Sequence, residues 1–245
     1  MNIIGMIPVR MESSRLPNKA IVDICGLPMI IHTLLRTKMA KTLDEVYIAT
    51  DNHEIKNLVE RFGGNVIMTG NQHQTGSDRL AEAAKKVDAD IIVNVQGDEA
   101  LVDPEHIDIG VNALISSNAD VSILLTPFSK KNSPGDIKAV VNLQKQIMYL
   151  SRNDIPSDAR TTVATMYKAY HVVSYRKPFL LQYASLEQTP LEKIELNEYL
   201  RILENGYVIQ GAYVESDAIS VDTAEDLHYV RKLMQSDKYF RSYRP

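Results

Sequence analysis

The chain has a single cysteine, no tryptophan and only four phenylalanines. One cysteine, Cys25, excludes an intrachain disulfide framework. It stands beside Gly26 with no activating neighbour in the sequence and reads as a small apolar residue rather than a nucleophile. His32, His53, His73, His106 and His228 have no cysteine or histidine partner at ligand spacing, which argues against zinc. No apolar run approaches the length of a membrane span, and the first residues show no charged-then-apolar leader. The expectation is a cytoplasmic protein with no membrane insertion. Positive charge is not in excess either. Lysine and arginine number 27 against 31 acidic residues, a net charge of −4, so no overall basic field exists to hold a nucleic-acid backbone. Any anion must be bound by local placement.

What is present is the pattern of an α/β protein. Its 245 residues, 44% of them hydrophobic, suffice for a full core. The run "NIIGMIPV" reads as a buried strand and "GLPMIIHTLLRT" as a helix with Pro28 in its first turn. "EVYIAT" is a second strand. The next helix carries Ile55, Leu58, Val59 and Phe62 at helical spacing and stops at Gly63-Gly64. After the short strand "NVIM", a helix with Leu80, Ala83, Ala84 and Val87 on one face is expected to start at Ser77 as N-cap, and "ADIIVNVQ" is a fourth strand. Four strands with intervening helices predict a Rossmann-like, doubly wound, mostly parallel sheet.

From Pro127 to Ser216 the character changes. "KAVVNLQKQIMYLSR" reads as a hairpin and "AYHVVSY" as another strand, an inserted antiparallel layer within one 1–245 domain. A helix over "PLEKIELNEYLRILENG" is expected, with Thr189 as N-cap, Pro190 first and Glu192 closing a capping box. Thr223 and Asp226 form the same box at the last helix, which buries Leu227, Val230 and Met234. The closing "SDKYFRSYRP" reads as a surface tail.

Ligands of such sheets bind beyond the carboxyl ends of the strands. The turn "IPVRMESSRLPNKA" directly follows the first strand and holds no glycine, so it is not the usual small-residue phosphate loop. Arg10, Ser13, Ser14, Arg15 and Lys19 instead offer cations, hydroxyls and backbone N–H groups that suit a polyphosphate, or simply a solvated basic loop. "QGDE" follows the fourth strand, so Asp98 and Glu99 face those cations across one crevice if the topology is as read. Asp98 and Asp222 each follow an apolar run and precede a turn or helix. Two carboxylates beside a polyphosphate suit Mg²⁺, whereas each taken singly also suits a local cap.

Taken together, "IPVRMESSRLPNKAIVDICGLPMIIH", "IATDN", "MTGNQHQTGSDRLAEAAK", "IVNVQGDEALVDPEHI", "YLSRNDIP", "LEKIELNEYLRILENG" and "VDTAEDLHYVR" resemble the CMP-KDO synthetases, the 3-deoxy-manno-octulosonate cytidylyltransferases, in order over nearly the whole chain. The resemblance implies a CTP-dependent enzyme. The anomeric hydroxyl of an acidic sugar attacks the α-phosphate of CTP and pyrophosphate leaves. It implies Arg10, Arg15 and Lys19, with the Met11 to Ser14 backbone, as triphosphate cradle. Ser77 and Arg79 fall in the cytosine pocket, Gln96 toward the acceptor, and Asp98 and Asp222 on Mg²⁺. It also implies a homodimer built by the 127–216 excursion, and lipopolysaccharide or capsule synthesis.

On the acceptor side the chain departs from the family pattern. A "HIGIYAYR"-like run is here "AYHVVSYR", with Ala169, His171 and Val173 at altered positions, and "LEQLR" is here "NEYLR", keeping Glu198 but placing Tyr199 where glutamine is usual. His171, Glu198 and Tyr199 are the acceptor candidates, and His171 reads equally as a packed strand histidine. The acceptor is KDO or a KDO-like ulosonic acid, with another ulosonic acid, a phosphonate, or a non-catalytic CTP-binding role as alternatives.

Overall fold

A computed structural model describes every residue except Ser14, Gln74, 162–164, 216–218 and Pro245, and the backbone but not the side chain of His171. The chain divides into two compact units, Met1–Asp108 with Ala218–Pro245, and Ile109–Asp217.

In the first unit, strand β1 (Ile3–Pro8) is buried along its whole length. A 3₁₀ turn (Lys19–Ile21) and a two-stranded hairpin, β2 (Asp23–Ile24) with β3 (Leu27–Pro28), follow. Then α1 (Met29–Thr37), β4 (Glu45–Thr50), α2 (His53–Arg61), β5 (Asn65–Met68), α3 (Gly76–Ala84) and β6 (Ile91–Val95) alternate. β1 pairs in parallel with β4 and with β6, and β4 with β5, so the order is β6-β1-β4-β5. The parallel α/β expectation holds, and its strand ends point their following loops the same way.

Two details differ. The N-cap of α3 is Thr75, not Ser77: its backbone is extended, its hydroxyl accepts the Asp78 N–H at 3.2 Å, and Asp78 accepts the Thr75 N–H at 3.1 Å. A complete capping box outcompetes a lone serine two residues later. Phe62 caps the end of α2 and is largely exposed, while Ile55, Leu58 and Val59 are buried.

The chain passes to the second unit within α4 (Pro104–Ile115). There β7 (Val121–Phe128), the hairpin β8 (Lys138–Val141) and β9 (Ile147–Ser151), and β10 (Met166–Arg176) follow. β10 runs antiparallel to both β7 and β8, with a register shift between Tyr170 and Val173. The hairpin turns because Asn142 Oδ1 accepts the N–H groups of Gln144 and Gln146, both at 2.9 Å. After α5 (Lys177–Tyr183), the single helix expected from Pro190 is two, α6 (Pro190–Glu195) and α7 (Leu200–Glu204). Leu196 breaks them apart with φ of 48°, a conformation its sequence does not advertise. Arg201 reaches back to Glu192 with bonds of 2.8 and 2.5 Å, both side chains buried, and fixes the angle between the two pieces. β11 (Ile209–Tyr213) is parallel to β7.

The chain re-enters the first unit with α8 (Ala224–Met234) and α9 (Phe240–Tyr243). The supposed surface tail is part of that core. Arg36, almost fully buried, donates to the Val102 carbonyl at 2.7 Å and to Asp237 Oδ1 at 2.7 Å, with Tyr239 stacked 5.0 Å from its guanidinium. His32 is completely buried. Its Nε2 lies 2.7 Å from the Ile24 carbonyl, so Nε2 carries the proton and Nδ1 accepts from the Tyr243 hydroxyl at 3.0 Å. Burial holds its pKa below the ordinary 6.5 and pushes the Tyr243 phenol up to about 12.

A histidine with a lowered folded-state pKa contributes stability that is complete above the unfolded value and lost as pH falls below it. Replacing His32 with glutamine therefore costs about 1–3 kcal/mol at pH 8 by loss of buried hydrogen bonds. The gap in unfolding free energy to the parent chain narrows as pH drops below 6.5, which denaturant titrations at pH 8, 6.5 and 5 would measure.

Candidate active site

The site is built from loops that follow β1 and β6, from the start of α3, and from the residue before α8, all in the first unit. The Val9 N–H extends the β1 ladder onto the Ala49 carbonyl at 2.9 Å, and the chain then leaves the sheet into the basic turn. At the end of β6, Thr33 of α1 donates to the Gly97 carbonyl at 3.1 Å. Gly97 lets the two loops approach closely, since a Cβ there would lie 3.2 Å from the Pro8 carbonyl oxygen. The Val221 N–H donates to the Asp98 carbonyl at 3.1 Å, which sets Asp222 beside Asp98. Ser220 hydrogen-bonds the buried Glu99, tying the same two segments again.

Lys19 joins them. Its Nζ donates to Asp98 Oδ2 at 2.7 Å and to Asp222 Oδ1 at 2.9 Å, and Arg15 reaches the same Asp222 oxygen at 2.9 Å. Burial by itself lowers the pKa of this ammonium, but the two carboxylates outweigh it and the net shift is upward. Lys19 is thus fixed as a cation.

These groups open on a cavity of about 340 Å³, also lined by Arg10, Ser13, Gln96, His73, Thr75, Gly76 and Arg79. Of the residues named from sequence, Arg10, Ser13, Arg15, Lys19, Arg79, Gln96, Asp98 and Asp222 meet here. Ser14 lies outside the described residues, as does the side chain of His171. Met11 is half-buried in the turn. Ser77 is fully buried, and its hydroxyl has no hydrogen-bond partner among the described residues. Glu198 and Tyr199 belong to the second unit, where Tyr199 is buried and the Tyr183 hydroxyl donates to the Glu198 carbonyl at 3.0 Å.

On the α3 side, Arg79, named from sequence, has partners that the sequence reading missed, and it is itself buried. It donates to Thr69 Oγ1 at 2.6 Å, the Gly70 carbonyl at 3.3 Å and Asp51 at 3.1 Å. One turn on, Glu82 accepts the Gly70 N–H at 2.9 Å, His73 Nε2 at 2.6 Å and Lys86 at 3.1 Å. Arg79 and Glu82 together pin the loop that carries His73 into the cavity. The only sequence signal was the box from Thr75 to Asp78; nine residues separate His73 from Glu82, a spacing that carries no local pattern.

Two converging carboxylates with a cation between them form a donor set of the kind Mg²⁺ uses, because this ion keeps waters and takes phosphate oxygens beside one or two protein carboxylates. Among the described residues no group of three or more histidine, cysteine or acidic side chains could hold a metal. Asp98 and Asp222 are the residues that could do so with phosphate help.

The Gly70 N–H, and with it His73 and Lys86, holds the Glu82 carboxyl down at about 2 against an ordinary 4.5. A depressed carboxylate contributes stability present above its unfolded pKa and lost as pH falls through the folded one. The parent chain therefore melts higher than Glu82→Gln at pH 7, and the difference closes between pH 4.5 and about 2 in paired thermal melts.

Comparison with known proteins bears on this arrangement. The cytidylyltransferase family model matches residues 4–216. A 3-deoxy-manno-octulosonate cytidylyltransferase of Geobacter metallireducens is 40% identical, over 94% of this chain and 96% of that protein. One from Chlorobium limicola is 36% identical, over 96% and 98%. The solved structure of a CMP:2-keto-3-deoxy-manno-octonic acid synthetase complexed with CTP superposes with a TM-score of 0.93 at 35% identity, covering 96% of this chain and 99% of that one. Alike in sequence and in fold over almost its full length, the chain belongs to the CMP-KDO synthetase family of cytidylyltransferases.

Proposed function

We propose that this cytidylyltransferase joins CTP to 3-deoxy-manno-octulosonate (KDO), giving CMP-KDO and pyrophosphate. The observation that carries the reading is the meeting of Arg10, Arg15 and Lys19 with Asp98 and Asp222 in one cavity. The anomeric hydroxyl oxygen forms the new bond to the α-phosphorus, the bond to the bridging oxygen of the leaving pyrophosphate breaks, and the hydroxyl proton is released. Arg10, Arg15 and Lys19, with Ser13, Ser14 and the backbone near Met11, neutralise and orient the triphosphate as charge moves onto the leaving group. Asp98 and Asp222 would hold Mg²⁺, which when bound would supply Lewis-acid polarisation of the α-phosphate and a lower pKa for the attacking hydroxyl. Lys19 would bond phosphate oxygens of the triphosphate. Ser77 and Arg79 support the base pocket, and Gln96 faces the acceptor.

The acceptor side draws on His171 and Glu198 from the 127–216 excursion; Tyr199, an acceptor candidate from sequence, is buried and is read as packing. Ala169, Val173 and Tyr199 are 5%, 0% and 4% exposed, which supports reading the departures at these positions as replacements accommodated by packing, with KDO retained as acceptor. In the second unit Met148, Ile194 and Leu196 are 64%, 75% and 76% exposed, apolar surface that supports a homodimer. The enzyme works in the cytoplasm, in lipopolysaccharide or capsule synthesis.

The test is pyrophosphate release from CTP with Mg²⁺ against KDO, its amino-substituted analogue, other ulosonic acids, neuraminic-type acids and small phosphonates. KDO is expected to be the best acceptor. Asp98→Asn and Asp222→Asn are expected to lose roughly 100-fold or more in kcat, the scale of one transition-state contact, while keeping the parent circular dichroism. Turnover of another acid but not KDO would move the acceptor assignment, and near-normal kcat in either variant would remove that carboxylate from the reaction.

A further inference from the structure

The turn that carries Asp98 is held at its carbonyls by α1. Thr33 donates to the Gly97 carbonyl at 3.1 Å. Arg36 takes the far end of the same turn, its Nε donating to the Val102 carbonyl at 2.7 Å and its Nη2 to the Leu101 carbonyl at 3.1 Å. A planar guanidinium serves two carbonyls at once only while its plane is fixed. Asp237 fixes it, accepting from Nη1 at 2.7 Å, and the Tyr239 ring lies 5.0 Å from the same group. The Tyr239 hydroxyl also donates to Asp103 Oδ1 at 2.9 Å, immediately past the turn.

Arg36, Asp237 and Tyr239 do not line the cavity, so they touch no substrate there. Their place in the chain gives them another use. At the N-terminal end of α8, the Val221 N–H holds the Asp98 carbonyl at 3.1 Å and Ser220 bonds Glu99. Just beyond the C-terminal end, Asp237 and Tyr239 hold residues 101–103 through Arg36 and Asp103. One helix therefore grips one turn from both of its ends, with Leu227, Val230 and Met234 buried between them. A single anchor leaves a rigid helix free to pivot, and the second anchor removes that freedom. Asp222, next to the first anchor, is thereby held at a set spacing from Asp98.

We infer that Asp237 and Tyr239, acting through Arg36 and Asp103, are positioning residues that set the spacing of Asp98 and Asp222 from the far end of α8. This rests on those two carboxylates serving the transfer from CTP. Arg10, Arg15 and Lys19 follow β1 and not this turn, so loosening the clamp lowers turnover more than nucleotide binding.

Arg36 is too buried to remove cleanly, and the experiment loosens the clamp around it in the full chain. Tyr239→Phe deletes one hydroxyl and keeps the ring; Asp237→Asn keeps an acceptor for Arg36 without the charge. Both are made singly and together. The control is Leu58→Ala, a core truncation in α2, a helix packed on β4 and β5. Two readouts are taken well below every melting temperature: amide hydrogen exchange of residues 97–103 without ligands, and kcat and KM for CTP in pyrophosphate release with KDO. The double variant is expected to exchange about tenfold faster over 97–103 and to lose about tenfold in kcat, the scale of one hydrogen bond, with KM within about twofold of the parent. Leu58→Ala is expected to melt lower and to keep both readouts at the parent values. A double variant that melts lower yet keeps the parent exchange and kcat would overturn the inference. So would faster exchange with kcat unchanged, or equal changes in Leu58→Ala, which mark general loss of stability. A parent chain that turns over no CTP with KDO would instead overturn the reading of function on which the inference stands.

Discussion

One ammonium group organises the site. Lys19 bonds carboxylates that are 79 and 203 residues away in sequence, and two carboxylates close enough to share one ammonium would repel without it. Everything around it serves to bring those oxygens to one place. Parallel strands deliver the loops after β1 and β6 to the same edge, and one backbone hydrogen bond from Val221 to Asp98 fetches the start of α8. Arg15 and Lys19 balance Asp98 and Asp222 in the cavity that Arg10 also lines.

The two sides of the cavity are held by different means. On the β1 and β6 side the partners are charged and only partly shielded, so they can exchange one oxygen for another when a ligand arrives. On the α3 side Arg79 is buried, Thr75 and Asp78 close a capping box, and Glu82 fixes the loop before the helix. The first side is held by part-exposed ion pairs, the second by a buried arginine and a closed capping box.

Much of this was legible in the sequence, for reasons that are local. Fully apolar runs broken by amphipathic stretches mark a buried parallel sheet, and the position of a turn just after a strand marks the ligand edge. Asp98 and Asp222 could be picked out because each sits at such an edge. What escaped depends on long-range contact. Nothing near Leu196 announces a left-handed residue, since the break is imposed by the buried pair of Arg201 and Glu192. The final residues look like a polar tail because Tyr239, Phe240 and Tyr243 are interleaved with charges. Their partners, His32 and Arg36, lie at the other end of the chain. His73 was weighed only as a metal ligand, because its partner on α3 falls at no recognisable spacing.

Gly97 has a bearing on how such a site can change over time. A methyl group there would lie 3.2 Å from the Pro8 carbonyl oxygen, so the β1 turn would have to give by a few tenths of an ångström, while Val9 Cβ at 3.5 Å is ordinary contact. The damage would reach the span that Lys19 has to bridge, although position 97 need never touch a substrate. A side chain at position 97 would thus be felt at Lys19 rather than at a substrate.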